Sequence, residues 1–136
     1  MIKQAELIRG SPMKLFASPW SAPPWMKSNN DYKGRGHLLP EYYDVWANYF
    51  VKFFDAYAEQ GVDFWGLTPQ NEPEDGNVPF FPFNCMGWNP ETMTTFLTEY
   101  LGPYLDAAGY DRLKVIIVDD QRWDMPHWVR TVRVPN

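Results

Sequence analysis

The chain has one cysteine, Cys85, in 136 residues, so no internal disulfide can staple it. No run of eighteen apolar residues occurs, which excludes a spanning helix of ordinary length. There is no Asn-x-Ser/Thr sequon. Lys and Arg number 12 against 17 Asp and Glu, a net charge of −5, and nothing clusters the cations. Nucleic acid is therefore not an expected partner, since its phosphates call for grouped Lys and Arg. The only histidines, His37 and His127, have no second ligand at metal spacing, so no metal or other cofactor is expected. Structural roles are favoured for both, and for Cys85 a place as a small buried apolar group. No secretory leader, internal repeat, low-complexity tract or linker is visible.

What is present is aromatic and proline-rich: seven Trp, eight Tyr, nine Phe and 13 Pro. That many prolines argue against a plain helical bundle. The pattern alternates strand and helix. Met1–Arg9 reads as the tail of an amphipathic helix, with Ile2, Ala5, Leu7 and Ile8 on one broad face. A short apolar strand, Lys14–Ser18, runs into a long polar loop, Pro19–Pro40. Glu41–Gln60 is a helix with Tyr42, Trp46, Tyr49, Phe50, Phe53 and Tyr57 at spacings of three and four, and Gly61 ends it. Strand Val62–Thr68 follows. Asn89-Pro90-Glu91 starts the next helix, with an amide cap, proline in the first turn and an acid at the positive end of the dipole. Gly102-Pro103 should bend or interrupt it, and Gly109 should end it. Lys114–Val118 is the clearest buried strand by composition, and a last helix runs from near Asp124 to about Arg133.

Short, continuously apolar strands alternating with helices indicate an α/β fold with a parallel sheet. Each strand is followed by a polar or aromatic loop, so these loops gather on one side. A closed (β/α)8 barrel takes about 250 residues. The expectation is a partial TIM (β/α)8 barrel, roughly strands 3–5 with their helices, residues 1–136 being a central fragment of a larger catalytic domain.

Three strand ends carry candidate chemistry: Ser18–Lys27, Thr68–Pro73 and Asp119–Arg122. Asn71-Glu72-Pro73 stands out. A carboxylate at the C-terminal end of a buried barrel strand is where such enzymes keep catalytic groups. An amide beside it can hold a sugar hydroxyl while the acid works on a glycosidic oxygen. An ordinary exposed Glu in a surface loop is the plain rival. Taken by themselves, Trp20 and Trp25 favour plain core over a pocket, and Phe80, Phe81 and Phe83 favour a hydrophobic plug over a binding wall. Asp119 and Asp120 could be nucleophile, metal ligand or structural pair. Neighbours on a strand face opposite ways, so only one can face a site. Structural roles are favoured, with Arg122 as a candidate partner.

In this order the strand ends closely resemble the glucosylceramidase branch of glycoside hydrolase family 30. Further matching stretches are Tyr49–Phe53 with Asp55-Ala56-Tyr57, Phe64–Pro73, Pro82-Phe83 with Cys85, Leu101-Gly102-Pro103, and Pro126-His127-Trp128. The resemblance spans about Leu15 to about Trp128, and Val132–Asn136 is the least family-like stretch. It implies a retaining mechanism with Glu72 as acid/base and Asn71 on the sugar 2-hydroxyl. It places Trp20 in the glucose pocket, Phe81 and Phe83 in an aromatic wall near the aglycone, and Gln121 at the site's edge. The family's nucleophile, a Glu on the seventh strand, has no counterpart here, so this chain alone is expected to be inactive. The implied substrate is glucosylceramide or another β-glucoside. The implied surroundings are lysosomal or secreted, with a membrane-surface or saposin-type activator contact. Another family 30 β-glycanase and a non-catalytic carbohydrate- or lipid-binding remnant are the alternatives. On the leading reading Trp20, Asn71, Glu72 and Gln121 share one edge of the sheet, and Trp20 and Asn71 reach one cavity.

Overall fold

The computed structural model describes residues 1–132; Arg133, the expected last residue of the final helix, and the rest of Val132–Asn136 after Val132 lie outside the described residues. Helix α1 (Ile2–Arg9) leads to strand β1 (Phe16–Ala17), helix α2 (Tyr43–Glu59) and strand β2 (Gly66–Leu67). Helix α3 (Pro90–Thr95), a π-helical turn (Phe96–Leu101) and helix α4 (Gly102–Ala107) precede strand β3 (Lys114–Val115) and helix α5 (Met125–Thr131). The strands form one parallel sheet in the order β1-β2-β3, with Ala17, Leu67 and Val115 in register. The α/β, parallel expectation holds. The regular ladders are shorter than the apolar runs, because single backbone bonds beyond them continue the pairing only at intervals.

The core lies between sheet and helices. Tyr43, Trp46, Ala47, Phe50, Val51 and Phe54 form the buried face of α2. They meet Met93, Phe96, Leu97, Leu101 and Leu105 from the α3–α4 run, with Trp88, Leu67 and Trp128. This stripe is rotated from the expected one: Tyr49 and Tyr57 are exposed. Aromatic spacing alone marked a broad face; packing against α4 and the π turn selects which part is buried. Tyr49, Phe53 and Tyr57 instead border a groove of about 460 Å³ running along β1.

Two more expectations change. Helix α1 forms but buries no residue, and Leu7 and Ile8 face solvent. Lys114 and Val115 are exposed, because β3 pairs only with β2 among the described residues. Gly102-Pro103 interrupts the regular helix, as expected, by way of the π-helical turn Phe96–Leu101. The Gly102 N–H donates to Leu97 O, five residues back, and this widened turn removes the carbonyl clash that Pro103 would cause in a regular helix. The expected stops are in place: Gly61 and Gly109 adopt φ of 66° and 80°. Asn89 caps α3 as expected, accepting from Thr92 N at 2.8 Å.

The stretch 19–40, expected as loop, is organised around a buried lysine. Lys27 Nζ donates to Tyr32 O (3.0 Å) and Cys85 O (2.8 Å), and burial lowers its pKa. Cys85 is buried as expected, its thiol donating to Gly34 O. Gly36 N donates to Gly76 O and Gly87 N to Gly36 O, which fastens three loops together. Gly76 and Gly87 approach so closely that a Cβ on Gly76 would lie 1.8 Å from Gly87 N. We therefore expect Gly76→Ala to destabilise the protein by about 3 kcal/mol, the upper end for overpacking, because backbone rather than a side-chain tip must move. Urea unfolding checks it: the midpoint falls while the slope stays unchanged.

Candidate active site

The three strand ends are fastened by backbone bonds beyond the ladders. Asn71 N donates to Pro19 O (2.9 Å) and Glu72 N to Asp119 O (2.8 Å). These bonds place Trp20, Asn71, Glu72 and Gln121 at one edge of the sheet, as expected. Gln121 Nε2 donates to Glu72 Oε1 at 3.3 Å. Glu72 itself sits at φ 41°, in the left-handed region that non-glycine residues rarely enter. Such a backbone costs on the order of 1–3 kcal/mol and persists only where its surroundings hold it.

Gln70 was not singled out in the sequence. It is 1% exposed, and its Nε2 donates to Trp20 O (2.6 Å) and Asn71 O (2.9 Å), while its Oε1 has no partner. Its place directly before Asn71 was the only signal. Trp20 is not core: it is 49% exposed, and its ring lies 5.5 Å from that of Phe83, which lies 4.6 Å from that of Phe81. Trp25 is also outside the core, edge-on to Tyr42. Phe80 stands almost wholly in solvent, so the aromatic stretch is a surface feature rather than a plug. The groove that Trp20 lines faces α2 and includes neither Asn71 nor Glu72, so the expected common cavity is not formed by these residues.

The two aspartates diverge. Asp119 Oδ2 accepts from Ser18 Oγ (2.6 Å) and Thr68 Oγ1 (3.0 Å). Asp120 accepts from Glu74 N (3.0 Å) and Gln121 N (2.7 Å). Both make structural contacts, but Arg122 is not their partner; the one salt bridge among the described residues is Lys3–Glu6. Glu74 in turn accepts from Trp128 Nε1 (3.0 Å) and Asn77 Nδ2 (3.0 Å), which holds the loop after Glu72 against α5. Of the histidines, His37 pairs with Ser28 Oγ and His127 is exposed on α5.

Carboxyls concentrate here, and Asp75 binds its proton more tightly than an ordinary carboxyl. Asp75 lies in the turn just after Glu72, its N–H donating to Glu72 O (3.0 Å). Burial, a hydrogen bond to the Glu72 side chain and the charges of Glu72 and Asp120 push its pKa up to about 7. Sequence reading missed Asp75, because the contact depends on how the turn closes.

A family model described as the glycosyl hydrolase family 30 TIM-barrel domain matches residues 1–135. The lysosomal acid glucosylceramidase of Mus musculus is 42% identical over 136 residues, covering 97% of this chain and 26% of the relative. An endo-1,6-beta-D-glucanase of Aspergillus fumigatus is 31% identical over 134 residues, covering 88% of this chain and 26% of the relative. The crystal structure of SrfJ from Salmonella typhimurium superposes with a TM-score of 0.85 at 33% identity, covering 95% of this chain and 28% of that one. The chain thus spans about a quarter of the length of the curated relatives it matches.

Asp75 makes stability depend on pH in a defined direction. Its folded pKa, about 7, lies above the ordinary 3.8, so between those values the folded chain holds a proton that the unfolded chain has released. Its contribution is fully present below about 4 and is lost as pH rises towards 7. Asp75→Asn should therefore raise the melting temperature relative to the parent at pH 8 and leave that difference smallest at pH 4. Thermal unfolding of both proteins across that range is the measurement.

Proposed function

The chain belongs to glycosyl hydrolase family 30, and on that premise we propose that it carries the general acid/base, Glu72, of a retaining glucosylceramidase. The observation that carries this reading is the Glu72 carboxyl at the C-terminal end of the central strand, beside Asn71 and within hydrogen-bond reach of Gln121. Glu72 gives its proton to the glycosidic oxygen as ceramide leaves, and the resulting carboxylate then takes a proton from the water that releases glucose. Asn71 holds the sugar 2-hydroxyl, Trp20 borders the glucose, Gln121 steadies the acid, and Phe81 with Phe83 walls the aglycone. Retention requires a second carboxylate about 5–5.5 Å away. In the family that group is a Glu on the seventh strand, to which no residue of this chain corresponds, and Asp119 and Asp120 make contacts of their own. The 136-residue chain alone is accordingly inert towards a fluorogenic β-glucoside.

The exposed Trp20–Phe83–Phe81 surface favours an apolar, lipid-linked aglycone and contact with a membrane surface or a saposin-type activator. A lysosomal or secreted location goes with this reading; the mouse relative's name is that of a lysosomal enzyme. A β-1,6-glucan is the second candidate substrate, because the Aspergillus fumigatus relative is named for that activity. Turnover of glucosylceramide against a β-1,6-glucan by the full-length glycosidase carrying this segment separates the two.

In that full-length protein, Glu72→Gln should lower turnover of glucosylceramide by about 10²–10⁴-fold, the usual worth of a positioned general acid. Activated aryl glucosides should lose less in the glycosylation step, because their leaving groups need little protonation. Parent-like turnover of the lipid substrate by Glu72→Gln overturns the assignment.

A further inference from the structure

Asp119 occupies an unusual junction. Ser18, Thr68 and Ile116 directly follow the paired residues Ala17, Leu67 and Val115 on β1, β2 and β3. Asp119 lies three residues beyond Ile116, so an unbroken strand would aim its side chain at the opposite face. Val118 prevents this. Its φ of 58° is the left-handed region, where a β-branched residue is a genuine outlier, and it turns Asp119 back towards Ser18 and Thr68. Its Oδ2 then lies 2.6 Å from Ser18 Oγ and 3.0 Å from Thr68 Oγ1, and the two hydroxyls lie 2.5 Å from each other, a hydrogen-bonded cluster across three adjacent strand ends. The same residue's backbone oxygen accepts the Glu72 N–H at 2.8 Å. Two strained backbones, Val118 and Glu72, are therefore joined through one residue.

We propose that Asp119 is a positioning residue for Glu72: its carboxylate anchors the β3 end to Ser18 and Thr68 so that its carbonyl holds the Glu72 backbone in the orientation that aims the acid. This rests on the reading of Glu72 as acid/base. Geometry favours the arrangement, because one carboxyl oxygen lies within hydrogen-bond distance of hydroxyls from two neighbouring strand ends. Asp119 makes no contact with the Glu72 carboxyl and takes no proton in the reaction. Its loss misdirects the acid.

The test uses a series of aryl β-glucosides of graded leaving-group ability with the full-length glycosidase carrying this segment. Asp119→Ala is expected to lower kcat/KM, which reports the glycosylation step, about 10-fold or more on poor leaving groups. The loss shrinks as the leaving group improves, as it does for Glu72→Gln. Added to Glu72→Gln, Asp119→Ala costs less than about two-fold further, because residues acting through one group are not additive. Asp119→Asn, whose amide oxygen can replace Oδ2 as the acceptor for both hydroxyls, stays within about three-fold of the parent. Equal losses on every glucoside, or a full additional loss in the Glu72→Gln background, overturn the proposal. Should Asp119→Ala not fold by circular dichroism, Ser18→Ala and Thr68→Val each remove one donor and leave the carboxylate in place. They are then expected to show the same leaving-group dependence in smaller measure, and its absence overturns the proposal. If Glu72→Gln itself shows no leaving-group dependence, the acid/base reading fails instead, and the two failures are thereby told apart.

Discussion

Everything at the candidate site depends on backbone hydrogen bonds that continue the sheet past its regular ladders. A parallel ladder ends where side chains no longer favour the pleat, yet here Asn71 and Glu72 go on donating to Pro19 and Asp119. These two bonds satisfy amides that would otherwise be stranded at a sheet edge, and they set the spacing between the three loops. The Glu72 side chain is aimed by that frame before any side-chain contact is counted. Gln121 then adds a hydrogen bond at 3.3 Å, and the Asp75 carboxyl meets the same side chain from the following turn.

Behind the frame, stability comes from an aromatic layer. Tyr43 touches Trp88, Phe96 and Tyr100 with ring centroids 5.3 to 5.6 Å apart, and Trp88 and Phe96 close the cluster at 5.1 Å. Tilted and edge-on pairs of this kind add to plain area burial. The layer sits on the helix side of the sheet, so residues at the strand ends can be strained or acidic without being asked to hold the core. Apart from the buried Lys27, the core is almost wholly apolar, while Glu72, Glu74, Asp75, Asp120 and Asp124 crowd the strand ends.

Much of this was legible in the sequence, and for local reasons. Gly61, Gly109 and Asn89 mark helix ends by backbone chemistry that no tertiary contact alters. Asn71-Glu72-Pro73 declares a strand end because an apolar run stops at a polar, stiffened tripeptide. What escaped was long-range. Lys27 looks like any loop lysine until Tyr32 and Cys85 close over it. The buried stripe of α2 could not be chosen from spacing, since aromatics occupy more than half of its turns. Asp75 and Gln70 owe their interest to neighbours that only a folded turn provides. The strand at Lys114–Val118 misled for another reason: its composition suits a covered strand, but among the described residues it has a neighbour on one side only.

The close contact between Gly76 and Gly87 divides the segment that follows Glu72 into two parts. Residues 77–86 leave and return through a neck fixed by Gly36, while Pro73 O accepts from Trp88 N just outside it. A loop clamped at its base behaves as a cassette: its tip, including Val78, Phe80 and Phe83, can be exchanged at little cost to the frame, because the entropy of closing it changes slowly with length. Selection could therefore rework the outer surface of this scaffold without disturbing the placement of the carboxyl at its centre.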